Sequence, residues 1–214
     1  MNGVYFGGVH SYNDLRLKLA PFSPTPATPQ TNFLKVPGRD GWLDLTEANG
    51  EVKYNSREFM FTFYMTPEEG VTFDERLTKV ADALNGLRCK ITLDRDPEYY
   101  WVGRCAVNKY TQKKNIGEIV VKATVEPYKL KQNETIVTVG LSSGGKTVVV
   151  ENGKMPSVPV IECENGGTVA FNGNTYTLKA GANKILDIRF KEGSNTLTLS
   201  GNGTIKITYQ EGAL

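Results

Sequence analysis

Apolar and polar residues alternate with a period of two over much of the first 130 residues. The clearest example is residues 57–65, where Phe or Met occupies every second position from Phe59 onward. Residues 87–93 alternate in the same way, and residues 99–107 and 116–126 are further strand-like runs. Because side chains on one face of a strand recur every second residue, the pattern predicts long antiparallel strands.

One segment has helical spacing instead. Apolar residues at positions 73, 77, 80, 81 and 84 share one face of a helix. Thr72 and Glu75 have the spacing of a capping box, and Asn85-Gly86 provides a stop signal. The sequence therefore predicts a helix over about residues 72–85. One helix packed on antiparallel strands makes residues 1–130 an α+β domain.

The composition changes near residues 131–134. Of the 22 glycines in the chain, 12 lie in residues 131–214, where no run has helical spacing. Short β-branched runs are separated there by turns such as Asn152-Gly153 and Asn172-Gly173. Short strands with such turns are typical of antiparallel sandwiches. We predict a second domain over residues 131–214, an all-β sandwich of the jelly-roll or galectin-like type.

A proline-rich stretch separates the first strands from residues 57–65. Proline fixes φ and lacks a backbone N–H, so residues 21–29, with their four prolines, are expected to be extended and outside the sheet. Asp40-Gly41 then provides the positive φ of a tight reversal, and residues 42–45 restart an apolar strand. From these residues alone, the segment is an ordinary hairpin that follows a surface loop.

Charge and hydropathy exclude several functional classes. The formal net charge is +2, and residues 1–130 carry 17 basic and 16 acidic residues. Neither half therefore has the basic excess of a nucleic-acid-binding protein. No apolar run reaches the roughly 18 residues of a membrane span, so membrane insertion is not expected. The first residues lack the basic and apolar regions of a secretory leader, and we expect synthesis in a cytoplasm.

Metal, cofactor and disulfide chemistry are not expected. Cys89, Cys105 and Cys163 fit no zinc or disulfide spacing, and His10 is the single histidine. Cys89 and Cys105 fall on neighbouring predicted strands and can lie close together, but buried free thiols are the simpler interpretation. The acidic turn at residues 94–98 is too short for a calcium loop. We predict no metal site, no cofactor and no catalytic residue.

Residues 140–147 match the phosphate-binding pattern Gly-x-x-x-x-Gly-Lys-Thr. In nucleotide-binding proteins a helix starts at that lysine, and its N-terminal amides hold phosphate. Here Lys146 and Thr147 lead into three valines and the Asn152-Gly153 turn, so a strand is expected instead. We interpret the motif as a hairpin loop rich in Ser and Gly that binds no nucleotide.

Five short segments occur in an order that resembles one protein family. They are an aromatic-Gly and Ser-Tyr segment, a Pro-Gly-Arg-Asp-Gly turn, a Tyr-x-x-Arg segment, an Asp-x-x-Pro-x-Tyr-Tyr turn and a closing Pro-Tyr, at residues 5–15, 37–41, 54–59, 94–100 and 126–129. In this order they resemble the distal tail protein (Dit) family of siphophages and related prophages. The resemblance covers about residues 1–130, and residues 131–214 match it only as a β-rich tail.

The resemblance implies a structural virion protein of a phage or prophage tail tip, the distal tail protein or baseplate hub. Such a protein would form a homo-hexameric ring in the virion tail, after synthesis in the cytoplasm of a bacterial host. The ring would join the tail tube protein to a tail-associated lysin or host-recognition protein, and DNA would only pass through it. The first domain would build the ring, and the second would project outward.

Contacts between neighbouring copies are expected along the proline-rich stretch. An extended segment reaches a neighbour with little conformational entropy left to lose, and a rotational ring joins two different patches at each contact. Folding of the stretch back onto its own domain is the alternative. The candidate interface residues are Phe22, Phe33, Pro37, Gly38, Arg39, Asp40 and Gly41.

A carbohydrate-binding module is the alternative function. It is suggested by the predicted sandwich together with Trp42, Trp101 and many tyrosines. In that case the protein would bind a glycan, for example on a host surface. An enzymatic function rests only on the glycine-rich loop at residues 140–147, and we expect none.

Overall fold

We describe the fold from a computed structural model, which covers residues 3–48, 50–142 and 144–214. The chain divides into two compact units, the first ending at Lys129 and the second beginning at Leu130. The described residues contain many strands and one helix. One helix among several antiparallel sheets confirms that part of the sequence prediction. No described helix is both long and apolar enough to cross a membrane.

The first unit contains one helix and the strands β1 to β9. In chain order these are β1 (Val4–Phe6), β2 (Val9–His10), β3 (Leu17–Leu19), β4 (Phe33–Leu34), β5 (Leu43–Asp44), β6 (Arg57–Met65), α1 (Phe73–Leu84), β7 (Arg88–Leu93), β8 (Tyr99–Lys113) and β9 (Ile116–Val125). The helix and the longer strands lie where the sequence pattern predicts them.

Seven of these strands follow one another in an antiparallel sheet, in the order β2-β1-β7-β8-β9-β6-β3. The register places Phe61, Val121 and Val107 side by side on one face. The register shifts between Val107 and Lys109, and such a bulge bends and twists a strand locally. β4 and β5 form a separate two-stranded sheet.

The core of the first unit lies between the sheet and α1. Phe59 and Phe61 of β6 are fully buried, and the Phe61 ring meets the Phe6 ring edge-on at a centroid distance of 5.5 Å. Val80 and Leu84 of α1 are buried in the same cluster. Full burial of one such side chain contributes about 1.5–3 kcal/mol to stability. The apolar face of the sheet and the apolar stripe of the helix therefore stabilise each other.

The helix begins with the capping box that the sequence predicts. The Glu75 N–H donates to Thr72 Oγ1 at 3.2 Å, and the Thr72 N–H donates to the Glu75 carboxylate at 2.8 Å. The bonds from the Thr72 backbone and hydroxyl hold the pKa of Glu75 below its usual value. Two backbone donors near the helix start are therefore satisfied by side chains.

Arg76 is a charged residue that the helix buries. Its guanidinium donates to the backbone carbonyls of Thr66 and Arg16, the latter at 3.2 Å, and its Nε lies 3.6 Å from a Glu68 carboxylate oxygen. The sequence analysis placed only apolar side chains on this stripe. The difference arises because chain segments after β6 and before β3 leave carbonyl groups without strand partners, and the guanidinium supplies their donors.

The second unit contains the remaining strands. In chain order these are β10 (Lys129–Lys131), which starts at the unit boundary, β11 (Thr135–Leu141), β12 (Gly145–Asn152), β13 (Val160–Cys163), β14 (Gly167–Phe171), β15 (Asn174–Leu178), β16 (Gly181–Lys184), β17 (Gly193–Gly201), β18 (Gly203–Tyr209) and β19 (Gly212–Ala213). Most of them correspond to the short β-branched runs of the sequence.

Two four-stranded antiparallel sheets build this unit, in the orders β11-β18-β13-β16 and β12-β17-β14-β15. Ile161 pairs with Ile207 in the first sheet, and Val169 pairs with Leu199 in the second. All four side chains are buried in one shared core. Two sheets that share an apolar core form a β-sandwich. The jelly-roll or galectin-like subclass stays a prediction.

One of the short β-branched runs that the sequence analysis interprets as strands, residues 185–190, does not form a strand. The Ile188 N–H donates to the Ile185 carbonyl at 3.1 Å, which closes a turn, and Phe190 joins Ser157 in an isolated bridge. Ile188 and Phe190 are nevertheless fully buried. The alternation of apolar residues here reflects burial of a connecting segment. A period of two in the sequence cannot distinguish such a segment from a strand.

The phosphate-binding motif lies on the connection between β11 and β12, which belong to different sheets, so the predicted hairpin loop is wrong, whereas the strand expected after it is formed. Lys146 and Thr147 belong to β12, where they pair with Leu199 and Thr198 of β17. Ser143, within the glycine-rich loop, lies outside the described residues. Because a strand and not a helix follows the loop, no helix N-terminus is available there to hold a phosphate.

We predict that the connection between β11 and β12 binds no nucleotide. Titration of the protein with Mg-ATP in a calorimeter should give only the heat of dilution, and Lys146→Ala should behave as the natural chain does. The physical reason is that β12 uses the backbone N–H groups near Lys146 for strand pairing. Micromolar binding that Lys146→Ala abolishes would contradict this prediction and the assignment of β12.

We also predict that residues 130–214 fold alone, because the sandwich has its own apolar core and about 85 residues suffice for a small domain. The isolated fragment should show one cooperative thermal transition by circular dichroism, with an all-β spectrum. A matched fragment with Ile207→Asp should lose the transition because it buries an unpaired charge. A disordered natural fragment would show that its strands depend on the first unit.

Candidate interaction site

The proline arm, defined as residues 20–32, follows β3 and runs beside β6. The Ala20 N–H donates to the Thr62 carbonyl at 2.9 Å, and Thr25 Oγ1 donates to the Glu58 carbonyl at 2.8 Å. The arm's prolines have no N–H to donate. The arm therefore follows the edge of β6 through a few hydrogen bonds without becoming a strand there.

Phe22 fixes the start of the arm to the core of its own unit. It is half-buried, and its ring centroid lies 4.3 Å from that of Phe61 and 5.6 Å from that of Phe59. An aromatic contact of this kind contributes about 0.5–1.5 kcal/mol beyond the burial of area. The predicted contact of Phe22 with a neighbouring copy stays a prediction.

Arg57 holds the arm from inside the unit. Its side chain is buried, its Nε donates to the Thr25 carbonyl at 2.5 Å, and its Nη1 donates to the Pro127 carbonyl at 3.2 Å. The guanidinium carbon lies 5.2 Å from the ring centroid of Phe59 and 5.7 Å from that of Trp101. Burial lowers the pKa of Arg57, but the carbonyls and ring faces compensate for the lost hydration of the cation.

Two of the short segments singled out in the sequence meet around Arg57. The Tyr54 ring meets the Tyr128 ring edge-on at 5.9 Å, and the Trp101 ring meets the Phe59 ring at 5.2 Å. The Tyr-x-x-Arg and Pro-Tyr segments thus form one cluster under the arm, together with Trp101, which directly follows the Asp-x-x-Pro-x-Tyr-Tyr turn. Sequence analysis named these segments but did not predict their contact. The signal for this contact in the sequence is Arg57 itself, a charged residue at the start of a run in which every second residue is Phe or Met.

The arm hairpin, defined as residues 33–44, extends from the proline arm. In its two short strands, Phe33 pairs with Asp44 and Leu34 pairs with Leu43. Just outside the pair, the Leu45 N–H donates to the Asn32 carbonyl at 2.8 Å. The hairpin is therefore a local structure with a small ladder of its own.

Local residue chemistry explains the tip of the hairpin. The Arg39 N–H donates to the Val36 carbonyl at 3.2 Å across Pro37 and Gly38, and Gly38 has φ of 79°. Proline followed by a glycine at positive φ is the signature of a type II turn. Gly41 has φ of 75°, which confirms the positive φ predicted for it. The sequence analysis had placed the main reversal at Gly41, whereas the hydrogen-bonded turn lies three residues earlier.

The hairpin exposes large apolar side chains. Phe33 is 51% exposed, Leu34 50% and Trp42 64%. The charged side chains of Arg39 and Asp40 are exposed at the tip. Scattered exposed apolar residues are ordinary, but three on one short hairpin make it a candidate for contact with another molecule.

The structure gathers most of the predicted interface residues on this hairpin. Phe33 and residues 37–41 lie on it, whereas Phe22 lies at the base of the proline arm. Sequence analysis did not include Leu34 and Trp42 in the interface. The sequence signal for Leu34 and Trp42 is that they are apolar but lie outside any periodic pattern that would predict burial.

His10 joins the first strands to the end of β7. Its Nδ1 accepts the Asn13 N–H at 3.0 Å, and its Nε2 lies 3.2 Å from an Asp94 carboxylate oxygen. The same carboxylate accepts the Gly3 N–H at 2.7 Å. Because Nδ1 accepts a hydrogen bond, the proton of a neutral imidazole sits on Nε2 and faces Asp94. His10 therefore has a hydrogen-bonding role within the fold.

The cysteines are free thiols. A hydrogen bond with the Cys105 thiol lowers the pKa of Cys89, and the same bond together with burial raises the pKa of Cys105. The two residues are therefore close together, as the sequence allowed. Among the described residues, no group of three or more His, Cys, Asp or Glu side chains could hold a metal ion.

The aromatic residues that suggested a carbohydrate-binding module do not form a platform. Trp101 is only 3% exposed, and Trp42 belongs to the arm hairpin of the first unit. In the second unit the aromatic residues are buried or half-buried, namely Phe171, Tyr176, Phe190 and Tyr209. Sugar rings need an exposed aromatic face to stack on, and no aromatic residue of this unit provides one.

Comparison with known proteins gives a match to solved structures and none by sequence. No protein-family model matches the chain, and no curated protein sequence matches it. One similar structure is the Dit protein (gp 19.1) of SPP1, described as a paradigm of the hub adsorption apparatus in phages that infect Gram-positive bacteria. The two chains are 14% identical, the match covers 100% of each, and the TM-score is 0.72. The chain therefore has a Dit-like fold over its full length.

Replacement of Arg57 tests the cluster under the arm. Arg57→Ala should destabilise the first unit by about 2–4 kcal/mol, because two carbonyls lose their donor and Trp101 loses its packing partner. Arg57→Lys should lose less stability than Arg57→Ala. It should not match the natural chain, since one ammonium cannot reach both carbonyls in the same way. The measurements are denaturant unfolding and hydrogen exchange of amides in the proline arm.

Arg88→Ala is the matched control, because this exposed arginine pairs with Glu126 at 2.8 Å on the surface of the same sheet. Removal of an exposed pair should cost less than about 1 kcal/mol. Equal losses for Arg57→Ala and Arg88→Ala, with unchanged exchange in the arm, would contradict the role given to Arg57.

Proposed function

We propose that this protein is a structural component of a phage or prophage tail tip, where it acts as the distal tail or baseplate hub protein. The observation that carries the proposal is the full-length match, at a TM-score of 0.72, to a Dit protein of a hub adsorption apparatus. The five short segments of the first unit support it independently, because their order resembles that of the Dit family. The role is structural, and we assign no catalytic residue.

In this proposal the protein lies in the virion tail, after synthesis in the cytoplasm of the bacterial host. One side of a ring meets the tail tube protein, and the other meets a tail-associated lysin or host-recognition protein. The first unit builds the ring, and the second projects outward. The nearly balanced charge of the chain suits a conduit, since a strongly basic lining would retain the DNA that passes through it.

We place the contact between copies on the arm. A ring of six copies repeats one heterologous contact, in which a patch of one copy meets a different patch of the next. The arm hairpin supplies one such patch through Phe33 and the tip residues 37–41, with Leu34 and Trp42 beside them. Phe22 contributes at the base, where it holds the proline arm in position.

Burial of the hairpin provides a driving force for this contact. Its three apolar side chains are half or more exposed, and complete burial of one large apolar side chain contributes about 1.5–3 kcal/mol. Because the arm is held by Arg57 and Phe22 before assembly, less conformational entropy is lost on contact. A preformed apolar hairpin therefore suits repeated use around a ring.

Electron microscopy tests the proposal directly. Concentrated protein, or protein mixed with its tail tube, should show rings of six. The pair Phe33→Ser and Trp42→Ser should reduce the fraction in rings by at least about tenfold, because a loss of 1.4 kcal/mol per contact already has that effect. Deletion of residues 22–32 should abolish the rings.

Leu186→Ser is the matched control for these variants. Leu186 is 73% exposed and lies in the second unit, so its loss changes exposed apolar area without touching the arm. Rings that survive the deletion would exclude the arm from the contact. Failure of the natural chain to form any ring with its tail tube would overturn the proposed function.

A further inference from the structure

The sheet of the first unit has a second face, turned away from α1, that carries mainly basic side chains. Residues on this face alternate with the buried core residues of the same strands and pair with one another across the sheet. Its carboxylates are those of Glu58 and Glu118. Its basic residues are Lys18, Arg88, Lys90, Arg104, Lys109, Lys113 and Lys122. We call this surface the basic face.

Ion pairs within the unit neutralise only part of this charge. Lys122 lies 2.5 Å from Glu58, and Arg88 lies 2.8 Å from Glu126 at the end of β9. The basic side chains of the face therefore outnumber the carboxylates of Glu58, Glu118 and Glu126. The face therefore keeps a net positive charge.

An apolar centre lies among these charges. Met60 and Tyr64 of β6 point outward, 45% and 40% exposed, and Lys122 and Glu118 are their neighbours on β9. Half-buried Val120 lies between those two residues on the same strand. An apolar centre with a charged rim is the usual organisation of a protein–protein interface.

The side of the unit that bears α1 has the opposite charge. Its exposed carboxylates are those of Asp14, Glu68, Glu69, Asp74, Glu75 and Asp82. Arg16 and Lys79 are exposed on the same side, and Arg76 is buried. Asp74 and Glu75 complement the positive end of the helix dipole, but the other four carboxylates lie outside the first turn. We call this surface the acidic face.

We propose that the basic face of one copy docks on the acidic face of the next copy. The inference rests on the proposed ring and names a second pair of surfaces for its repeated contact. A heterologous contact needs two different patches on each copy. The outer face of the sheet and the side that bears α1 provide them. The net charge of +2 conceals this separation, because the two faces nearly cancel in the total.

A second copy accounts for both faces, which a nucleic acid does not. A polyanion would be attracted to the basic face, but it would leave the acidic face on the α1 side without a partner. Complementary charge between copies steers their encounter and selects one orientation. It also makes the contact sensitive to salt, because the screening length is only about 10 Å at 0.1 M.

Charge reversal in the full-length chain tests the inference. The basic-face variant carries Lys18→Glu, Lys109→Glu and Lys113→Glu, and the acidic-face variant carries Glu69→Lys and Asp82→Lys. All five residues are exposed and belong to none of the ion pairs above. At low salt, the fraction of each variant found in rings should be at least about tenfold lower than that of the natural chain, since like charges then face each other.

Complementarity should be recoverable in two ways. An equimolar mixture of the two variants should form rings again, because copies that alternate around an even-numbered ring present opposite charges at every contact. A chain with all five substitutions should also form rings. The control carries Lys179→Glu, Lys184→Glu and Lys191→Glu in the second unit, which gives the same change in net charge as the basic-face variant and should leave ring formation unchanged.

The outcomes separate this inference from the proposed function. Rings that persist in both reversal variants would overturn the inference and leave the proposed function standing. Filaments or dimers that respond to reversal and recovery, without any ring, would support the docking of the faces and overturn the ring. A natural chain that never self-associates, with or without tail tube, would overturn both. Duplex DNA binding that is lost in the basic-face variant would assign that face to nucleic acid and overturn the inference.

Discussion

Burial of the Arg57 guanidinium is the constraint on which the arrangement of the first unit depends. A buried cation is costly unless its donors are satisfied, and here the acceptors are the carbonyls of Thr25 and Pro127. One side chain thereby joins the start of the proline arm, the main sheet and the last residues of the unit. This anchor fixes one point of the arm that leads to the arm hairpin, and the backbone pairing of residues 28–30 with residues 53–55 fixes another.

The regular elements of the fold could be predicted because their signals are local. The capping box at Thr72 and the alternation in residues 57–65 each lie within a few positions of the structure they specify. The contacts of Arg57 span 32 and 70 residues, and their acceptors are carbonyl groups that every residue has. No residue pattern distinguishes those carbonyls in advance. The same reason explains why Arg76 was not predicted to be buried in α1.

The candidate site was predictable in its turn chemistry but not in its exposure. Proline and glycine at residues 37–41 specify the tip of the arm hairpin, whereas the missing periodicity around Phe33 and Trp42 argues only against a regular core strand and does not determine their exposure. Exposure depends on what the rest of the chain leaves uncovered. The motif at Lys146 shows the opposite limitation of sequence patterns. All of its residue types are present, but a strand stands where phosphate binding requires a helix.

The proline arm also affects what the sheet can do at high protein concentration. β3 covers only the end of β6, since its three residues pair with residues 63–65. The arm covers the next part of that edge, and its prolines offer no N–H to an incoming strand. An uncovered strand edge is a template for pairing with other chains. The segment that we propose for specific assembly thus also protects the protein from aggregation before assembly begins.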